Sequence, residues 1–433
     1  MRVARYLRRW QGRAMRPLAA ALAALALAPA ASAWTTLSNG VQNTVVPSML
    51  VTQAGTELVS FESPIAGTIS VSRVRSAPKV VVSSDPIAGR TQLVQQPSGA
   101  IQLYFPNAQG VGRLTSTDDG QTWTGPIQTQ SHTVGGMMAA AVAPDGTPYF
   151  AQDGTGFVNV FRGLNGETVK NVFPRCCGYA ESLAVDSSGL VQVAFFSNAD
   201  PDGSFVYESL GADLSPAGST SLKPTAPHDD RVPLVADRSG STFMAWPPGY
   251  PTATSLIVVP FRSGQPGGDG VTFPGRFTGG DPHAALAVDG QDRLWAVWTV
   301  GGGVRVARSR SHGQHFGAVV ASAATGGSEY QVSAVALPAG AVDVIVNTGS
   351  SLVQQELKPG LSVHVSITSK KVGKKTVVTH VAQALDDGFG VPTASFRIGG
   401  RAIHVDASGK AKVPGGKGTA AAPGYAGAAF RVP

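Results

Sequence analysis

The sequence predicts an all-β protein in which a β-propeller is followed by a small β-sandwich. Three observations support this prediction. No strong helical period runs through the chain beyond its first thirty-odd residues, and short apolar runs alternate with turn residues. The 433 residues include 53 Gly and 30 Pro, and only 14% of them are charged. A turn that ends in glycine also recurs seven times at an even spacing.

The repeat unit is an apolar strand, a turn that ends in glycine, and a second apolar strand. Successive turn glycines are 43 to 51 residues apart, which fits the length of a four-stranded propeller blade, about 40–50 residues. The residues before each turn are small and those after it are bulkier, as an inner strand and its outer neighbour require. The turns are Gln53-Ala54-Gly55, Pro97-Ser98-Gly99, Pro144-Asp145-Gly146, Ser187-Ser188-Gly189, Arg238-Ser239-Gly240, Val288-Asp289-Gly290 and Pro338-Ala339-Gly340.

Seven turns predict seven blades, and six is the alternative if the first or last unit is misjudged. A blade cannot bury both faces alone, so blades stack around an axis. The last unit is short, and we expect a strand after Trp34 to complete it. A pair of sandwiches is the rival all-β arrangement, which the even spacing disfavours.

One hairpin motif carries a family resemblance. Residues 116–123 read Ser-x-Asp-x-Gly-x-Thr-Trp, with Ser116, Asp118, Gly120 and Trp123 at the marked positions. Asp118 can accept backbone N–H groups, Gly120 can take a positive φ, and Trp123 can cover the turn. The motif resembles the Asp-box, or BNR repeat, of sialidase-like propellers. Residues 309–316 are a weaker copy with Ser311 for the Asp and Phe316 for the Trp.

The N-terminal residues resemble a secretory signal peptide. Six arginines precede a short Ala/Leu run, and Ala31-Ser32-Ala33 is a cleavage signature. We expect cleavage after Ala33 and a mature protein that is secreted or associated with the cell wall; an uncleaved anchor is the alternative. Removal of the signal lowers the net charge from +7 to +1, which argues against a nucleic-acid partner. No later stretch is apolar enough to span a membrane.

The predicted domains are the signal peptide (1–33), the propeller (34–358) and a sandwich (359–433). The sandwich carries ten Lys and Arg against three Asp, a net charge of +7. Because the chain without its signal has a net charge of +1, the propeller has a negative net charge. Residues 390–396, Gly400-Arg401 and residues 406–411 resemble bacterial Ig-like domains of the carboxypeptidase-regulatory type. Such domains act as spacers or adhesion modules.

The two cysteines, Cys176 and Cys177, are adjacent in a chain expected to be exported. We predict a vicinal disulfide between them. It would be strained, because neighbouring Cα atoms lie only about 3.8 Å apart. Two free thiols or pairing between chains are the alternatives.

Residues just ahead of the inner strands would ring one mouth of the central channel. This rim set is Arg90, Glu181, Asp229, Asp230, Arg231, Asp281, His283, Glu329 and Tyr330. We expect Arg90, Arg231, Asp281, His283 and Tyr330 to bind a polar ligand such as a carbohydrate. Glu181, Tyr330 and Asp230 are the catalytic candidates.

The sialidase resemblance implies an arginine triad, a Tyr–Glu nucleophile pair and an acid/base Asp. The family's N-terminal Phe-Arg-Ile-Pro motif is absent; Phe396-Arg397-Ile398 lies in the wrong domain. We therefore predict a non-catalytic carbohydrate- or protein-binding or scaffold module at the cell surface. A diverged sialidase-like exo-glycoside hydrolase and a lyase-type propeller are the alternatives. We expect no cofactor or metal, a monomer, and a glycan or cell-wall polymer as partner.

Overall fold

The computed structural model describes residues 33–63, 67–74, 76–82, 90–130, 138–154, 157–173, 178–199, 203–225, 231–249, 252–262, 264–275 and 283–433. All structural statements below refer to this part of the chain. The predicted signal sequence through residue 32 and both cysteines lie outside the described residues. By contact, the described chain divides into two units: residues 33–360 with Asp386–Gly388, and residues 361–385 with 389–433.

The first unit consists of seven antiparallel sheets that follow one another along the chain. Strand β1 (Thr35–Asn39) precedes them. Blade one comprises β2 (Ser48–Val51), β3 (Glu57–Ser63), β4 (Thr68–Arg73) and β5 (Lys79–Val82). Blade two comprises β6 (Gln92–Gln95), β7 (Ile101–Asn107), β8 (Gly110–Ser116) and β9 (Thr124–Gln130). Blade three comprises β10 (Met138–Val142), β11 (Pro148–Gly154), β12 (Phe157–Arg162) and β13 (Thr168–Phe173).

Blades four to seven continue the pattern. Blade four comprises β14 (Gly178–Val185), β15 (Val191–Ser197), β16 (Ser204–Leu210) and β17 (Pro216–Leu222). Blade five comprises β18 (Leu234–Ala236), β19 (Thr242–Trp246), β20 (Ser255–Arg262), β21 (Gln265–Pro266) and β22 (Val271–Pro274). Blade six comprises β23 (Ala284–Val288), β24 (Leu294–Thr299), β25 (Gly303–Ser309) and β26 (Val320–Ala324). Blade seven comprises β27 (Gln331–Ala336), β28 (Val342–Asn347) and β29 (Ser351–Leu357).

The seven sheets form a closed ring, which is the arrangement of a β-propeller. The innermost strands β2, β6, β10, β14, β18, β23 and β27 each contact the next, and β27 contacts β2 again. Strand β1 pairs antiparallel with β29 and supplies the fourth strand of blade seven. Strands from both ends of the unit therefore share one blade, and the all-β propeller prediction is confirmed.

The core of this unit is divided among the seven junctions between neighbouring blades. Seven separate clusters of buried apolar side chains each join two adjacent blades. Strand β24 shows how one strand serves two junctions. Trp295 packs toward blade seven and Trp298 packs toward blade five, because residues of odd and even number face opposite sides of a strand. Each blade is thus covered only when both neighbours are present.

The turns between the first and second strands explain the glycine repeat. Gly55, Gly99, Gly146, Gly189, Gly240 and Gly340 have φ between 82° and 89°, a range that favours glycine. Blade six differs, since the left-handed residue there is Asp292, with φ 57°, and not Gly290. The amide of Asp292 donates to the carbonyl of Asp289, as each turn glycine does to the residue three before it.

The hairpin between β8 and β9 has the hydrogen bonds that its sequence predicts. The Asp118 carboxylate accepts the Thr122 amide at 2.9 Å, and the Ser116 hydroxyl accepts the Gly120 amide at 2.9 Å. Gly120 has φ 80°, and Trp123 packs on the core shared by blades one and two. The copy at residues 309–316 keeps the same turn, with the Ser309 hydroxyl accepting the Gly313 amide at 2.9 Å.

The second unit contains two four-stranded sheets around one apolar core. One sheet comprises β30 (Ser362–Val372), β31 (Lys375–Asp386), β32 (Phe389–Gly390) and β35 (Lys410–Val413). The other comprises β33 (Ser395–Ile398), β34 (Arg401–His404), β36 (Gly416–Ala421) and β37 (Ala428–Val432). Phe396 and Phe430 pack edge to face within the core, with ring centroids 5.3 Å apart. No described segment forms a helix long and apolar enough to cross a membrane.

Candidate functional site at the mouth of the central channel

The candidate site lies at the end of the ring where the innermost strands begin, which we call the upper face. Of the rim set predicted from the sequence, Arg90, Glu181, Arg231, His283, Glu329 and Tyr330 are described by the structure. Asp229, Asp230 and Asp281 lie outside the described residues, as do Cys176 and Cys177. The candidate site therefore comprises these six described residues and their neighbours.

Arg231 reaches into the centre of the ring from the chain just ahead of β18. Its Nη1 atom donates to Oε1 of Gln92 in blade two at 2.5 Å. Its Nη2 atom lies 3.5 Å from the carbonyl oxygen of Met138 in blade three. The Nε atom makes no hydrogen bond within the described part of the chain. One guanidinium thus links three blades, and its Nε atom is buried.

Two further charges act on Arg231. Burial, the largest cause, and the charge of Arg90 together lower the pKa of its guanidinium to about 9, while the charge of Glu181 acts in the opposite direction. Arg90 is 1% exposed and Glu181 is fully buried. Arginine stays protonated at neutral pH, so this group holds two positive charges and one carboxylate.

An irregularity in β14 places Glu181 in this group. The pairing of β14 with β15 shifts register between Tyr179 and Ser182. Ala180 in this bulge has φ 63°, an unusual value for a residue with a side chain, and its carbonyl accepts the Val232 amide at 3.0 Å. A bulge re-aims the side chain beside it. Such backbone strain is concentrated at functional sites.

A cavity of about 280 Å³ extends from Arg231 along the central channel. The polar side chains at its wall include those of Gln92, Ser182, Arg231 and Gln331. Most of the remaining wall is small or apolar and comes from the inner strands, for example Ala285 and Ala287 of blade six. The cavity can hold a small molecule with one charged end, and its wall offers polar and apolar contacts in similar measure.

Of the described rim set only Arg231 lines this cavity, and residues of three other blades share its position in the repeat. Arg90, Arg231 and Gln331 each stand nine positions before the left-handed residue of their hairpin, and His283 has the same spacing from Asp292. Tyr330 is one residue out of this register, and side chains alternate along a strand. Its ring lies against Gly349, on the turn between β28 and β29.

The sequence interpretation considered only residues ahead of the inner strands and missed five polar residues of the cavity wall, Ser48, Gln92, Ser182, Gln331 and Ser333. Gln92 and Ser182 stand seven positions before their turn glycines, within the strands themselves, as Ser48 and Ser333 do. Gln331 is the first residue of β27. Alignment of the repeat on its turn glycines would have found these positions, because strand side chains at one repeat position face the same side.

Comparison with known proteins gives no family. No family model matches the chain, and no curated protein matches it. Among similar solved structures is virginiamycin B lyase from Staphylococcus aureus, with 13% identity, a TM-score of 0.48, and coverage of 75% of this chain and 98% of that chain. A streptogramin B lyase structure has 13% identity, a TM-score of 0.49, and coverage of 74% and 96%. A quinonprotein alcohol dehydrogenase-like protein from Bacteroides thetaiotaomicron has 10% identity, a TM-score of 0.40, and coverage of 65% and 67%.

These similarities carry no inference about function, but they correct one prediction. Assignment to the sialidase-like Asp-box family, with an Ig-like domain of the carboxypeptidase-regulatory type, is wrong. No family model supports it, and the similar structures named above are lyases and a quinoprotein-like protein. The motif at residues 116–123 led to the wrong family because its hydrogen bonds are local. They stabilise a β-hairpin turn whatever the chemistry of the surrounding protein.

Proposed function

We propose that this protein is a non-catalytic binding propeller that takes a small anionic ligand at the upper mouth of its central channel. The ligand class is a compact carboxylate, such as an acidic monosaccharide. The observation that carries the proposal is the Arg231 guanidinium, the one charged group among the described residues at the cavity wall.

The charges of the site favour an anion. Among the described residues of this group, Arg90 and Arg231 exceed the single carboxylate of Glu181 by one positive charge. A guanidinium presents planar paired donors that match a carboxylate. Burial of the Arg231 guanidinium lowers the local dielectric and strengthens that attraction relative to water. A ligand carboxylate on Arg231 would balance the charges of these described residues.

The size of the cavity limits the ligand. Sites for drug-sized molecules are about 300–1,000 Å³, and the channel cavity of about 280 Å³ lies just below that range. A single sugar ring or a short organic acid fits this volume better than an oligosaccharide does. The hydroxyl and amide groups of Ser182, Gln92 and Gln331 can contact ligand hydroxyls.

The surroundings of the candidate catalytic residues favour binding over turnover. A general acid or base must come within hydrogen-bond reach of the reacting group. Glu181 is fully buried, and no Asp, Glu, His or Tyr among the described residues lines the cavity. Glu181 is therefore placed to hold the two guanidiniums in position. The signal-like N terminus supports export to the cell surface, where such a module would meet its ligand.

Calorimetric titration of the chain from Ala33 to Pro433 tests this proposal, with galacturonate, galactose and acetate as probes. We expect binding of galacturonate and none of galactose. Arg231→Gln should weaken binding by roughly 10–100-fold, since a charged hydrogen bond contributes about 1.5–3 kcal/mol. Arg397→Gln, an exposed arginine on β33, is the matched control and should bind as wild type does.

Two results would contradict the proposal. If Arg231→Gln and Arg397→Gln bound every carboxylate as wild type does, the channel mouth would not be the anion site. If a bound acid were converted to product, and Glu181→Gln abolished that conversion, the protein would be an enzyme. Chromatography of the ligand after long incubation measures the second result.

A further inference from the structure

The hairpin of β30 and β31 extends beyond its sheet. The two strands pair from Ser362 with Leu385 to Val372 with Lys375. The neighbouring strand β35 pairs with β31 only between His380 and Gln383. Residues 368–379, which we call the hairpin arm, are therefore two-stranded. A two-residue turn with Gly373 at φ 62° closes its tip.

The arm exposes apolar side chains that a soluble hairpin does not need. Val372, Val377 and Val378 are 58%, 49% and 52% exposed. Two-stranded ribbons are only marginally stable in water, and their exposed faces are usually polar. Three exposed valines on one short arm thus indicate a surface with which the arm makes contact.

Valine and lysine alternate on one face of the tip. Lys370 is opposite Val377 and Val372 is opposite Lys375, and both pairs lie on the same face because they are two residues apart along each strand. Lys374 occupies the turn beside them. This face of the tip therefore presents two valine side chains and two lysine side chains, with each valine opposite a lysine.

The charge of the arm has one sign. Residues 361–385 contain Lys370, Lys371, Lys374 and Lys375 and no acidic residue. Anionic surfaces attract such clusters. A purely polyanionic partner would be bound by the lysines alone and would leave the valines in water. Apolar and cationic groups on one tip match an interface where negative headgroups lie over hydrocarbon.

We propose that the hairpin arm docks on a lipid surface that contains anionic headgroups, with Val372 and Val377 entering the headgroup region and the lysines on phosphates. Five residues of extended strand, 368–372, span about 17 Å, which is enough for the tip to reach the interface without the body of its sheet. This surface belongs to the second unit and is independent of ligand binding in the propeller channel.

Vesicle co-sedimentation of the chain from Ala33 to Pro433 tests the proposal. Vesicles of phosphatidylcholine with phosphatidylglycerol are compared with vesicles of phosphatidylcholine alone. We expect binding to the anionic vesicles that falls as salt rises. Lys370→Gln with Lys375→Gln should reduce partitioning by roughly 30-fold, because one lysine near such a surface contributes about 1 kcal/mol.

Val372→Ser with Val377→Ser separates the lipid surface from a soluble polyanion. The double variant should lose vesicle binding at least several-fold. The matched control is Lys79→Gln with Val80→Ser, an exposed pair on β5 in which Val80 is 52% exposed. The control should bind vesicles as wild type does.

Three outcomes would overturn the proposal. The first is that the wild-type protein does not bind anionic vesicles. The second is that it binds them but neither the lysine nor the valine double variant reduces binding. The third is binding to soluble dextran sulfate as strong as that to vesicles and unchanged by the valine substitutions, which would indicate a polyanionic polymer as partner. Near-ultraviolet circular dichroism of each variant separates lost binding from lost folding. Galacturonate titration of the same variants should remain at the wild-type value.

Discussion

The guanidinium of Arg231 lies 2.5 Å from the side-chain oxygen of Gln92, although the two residues belong to blades five and two. Two complete blades separate them around the ring. A hydrogen bond across this distance is possible only because the inner strands converge on one axis. Ring closure and the candidate site are therefore linked: the site exists where residues distant in sequence meet at the channel.

Within the hairpin at residues 116–123, adding a methyl group at Gly120 should reduce the stability of the fold most. A Cβ there would lie 2.8 Å from a methyl group of Leu58, and φ is 80°. We expect Gly120→Ala to lower the free energy of unfolding by about 2–4 kcal/mol, since overpacking adds to left-handed strain. Urea denaturation measures the loss.

Gly55→Ala is the control for this substitution. Gly55 has φ 82° but no atom within 4 Å of an added Cβ, so only the backbone cost of about 1 kcal/mol applies. Equal losses in the two variants would show that contact with Leu58 contributes nothing.

Ala180 should tolerate glycine unusually well. Its φ of 63° destabilises a residue with a Cβ by about 1–2 kcal/mol. Substitution by glycine removes this strain, which offsets the loss of the buried methyl group. We expect Ala180→Gly to leave the unfolding free energy within about 1 kcal/mol of wild type. Ala194→Gly, a fully buried alanine on β15 without positive φ, should lose about 1–2 kcal/mol. Thermal unfolding of both variants checks this difference, and a larger loss at Ala180 would contradict the strained bulge.

Asp118 should make the stability of the propeller depend on acid pH. Hydrogen bonds from the Thr122 hydroxyl and amide, and from the Ser116 hydroxyl, lower the pKa of its carboxyl to about 2. In the unfolded chain an aspartate titrates near pH ~3.9. The folded pKa is depressed, so the carboxylate stabilises the fold above pH ~4 and this contribution is lost as pH falls toward 2.

The comparison of wild type with Asp118→Asn tests this dependence. The asparagine does not titrate, so the stability advantage of wild type should be constant near neutral pH and shrink between pH ~4 and ~2. Urea midpoints at a series of pH values measure it. An advantage that grows as pH falls would contradict the assigned hydrogen bonds.

Asp186 should stabilise the first hairpin of blade four more than an exposed aspartate in a similar turn. Its carboxylate accepts the amides of Ser188 and Leu190 at 2.9 and 3.0 Å, and it is 3% exposed. Asp186→Ala leaves these part-buried amides and the buried side-chain amide of Gln192 without acceptors and should cost about 1–3 kcal/mol. Asp213→Ala removes similar bonds to Ser215 at an exposed turn and should cost less than about 1 kcal/mol. Chemical denaturation that ranks the two variants in the opposite order would contradict the role of burial.

The spacing of turn glycines predicted the propeller because the left-handed backbone of a tight hairpin strongly selects glycine. Blade six shows the limit of that rule. Its turn contains Gly290 and Asp292, and the left-handed position is taken by the aspartate, which tolerates it. The sequence alone does not decide between the two, since both residues are acceptable there.

The candidate site was predictable in part. Arg90 and Arg231 stand at the same repeat position, so the period alone places them together at the upper face. Glu181 joins them through the bulge at Ala180, and an alanine in an apolar strand carries no sign of a positive φ. Gln92 was missed because a glutamine within a strand is commonly a solvated edge residue.

A crystal structure of the chain from Ala33 to Pro433 with the tightest-binding carboxylate tests the central claim most directly. We expect the ligand carboxylate within hydrogen-bonding distance of Arg231, inside the ring formed by seven inner strands, with Gln92 and Ser182 at the same cavity wall. A ligand bound elsewhere, with the Arg231 guanidinium still held by protein groups alone, would contradict the proposed function.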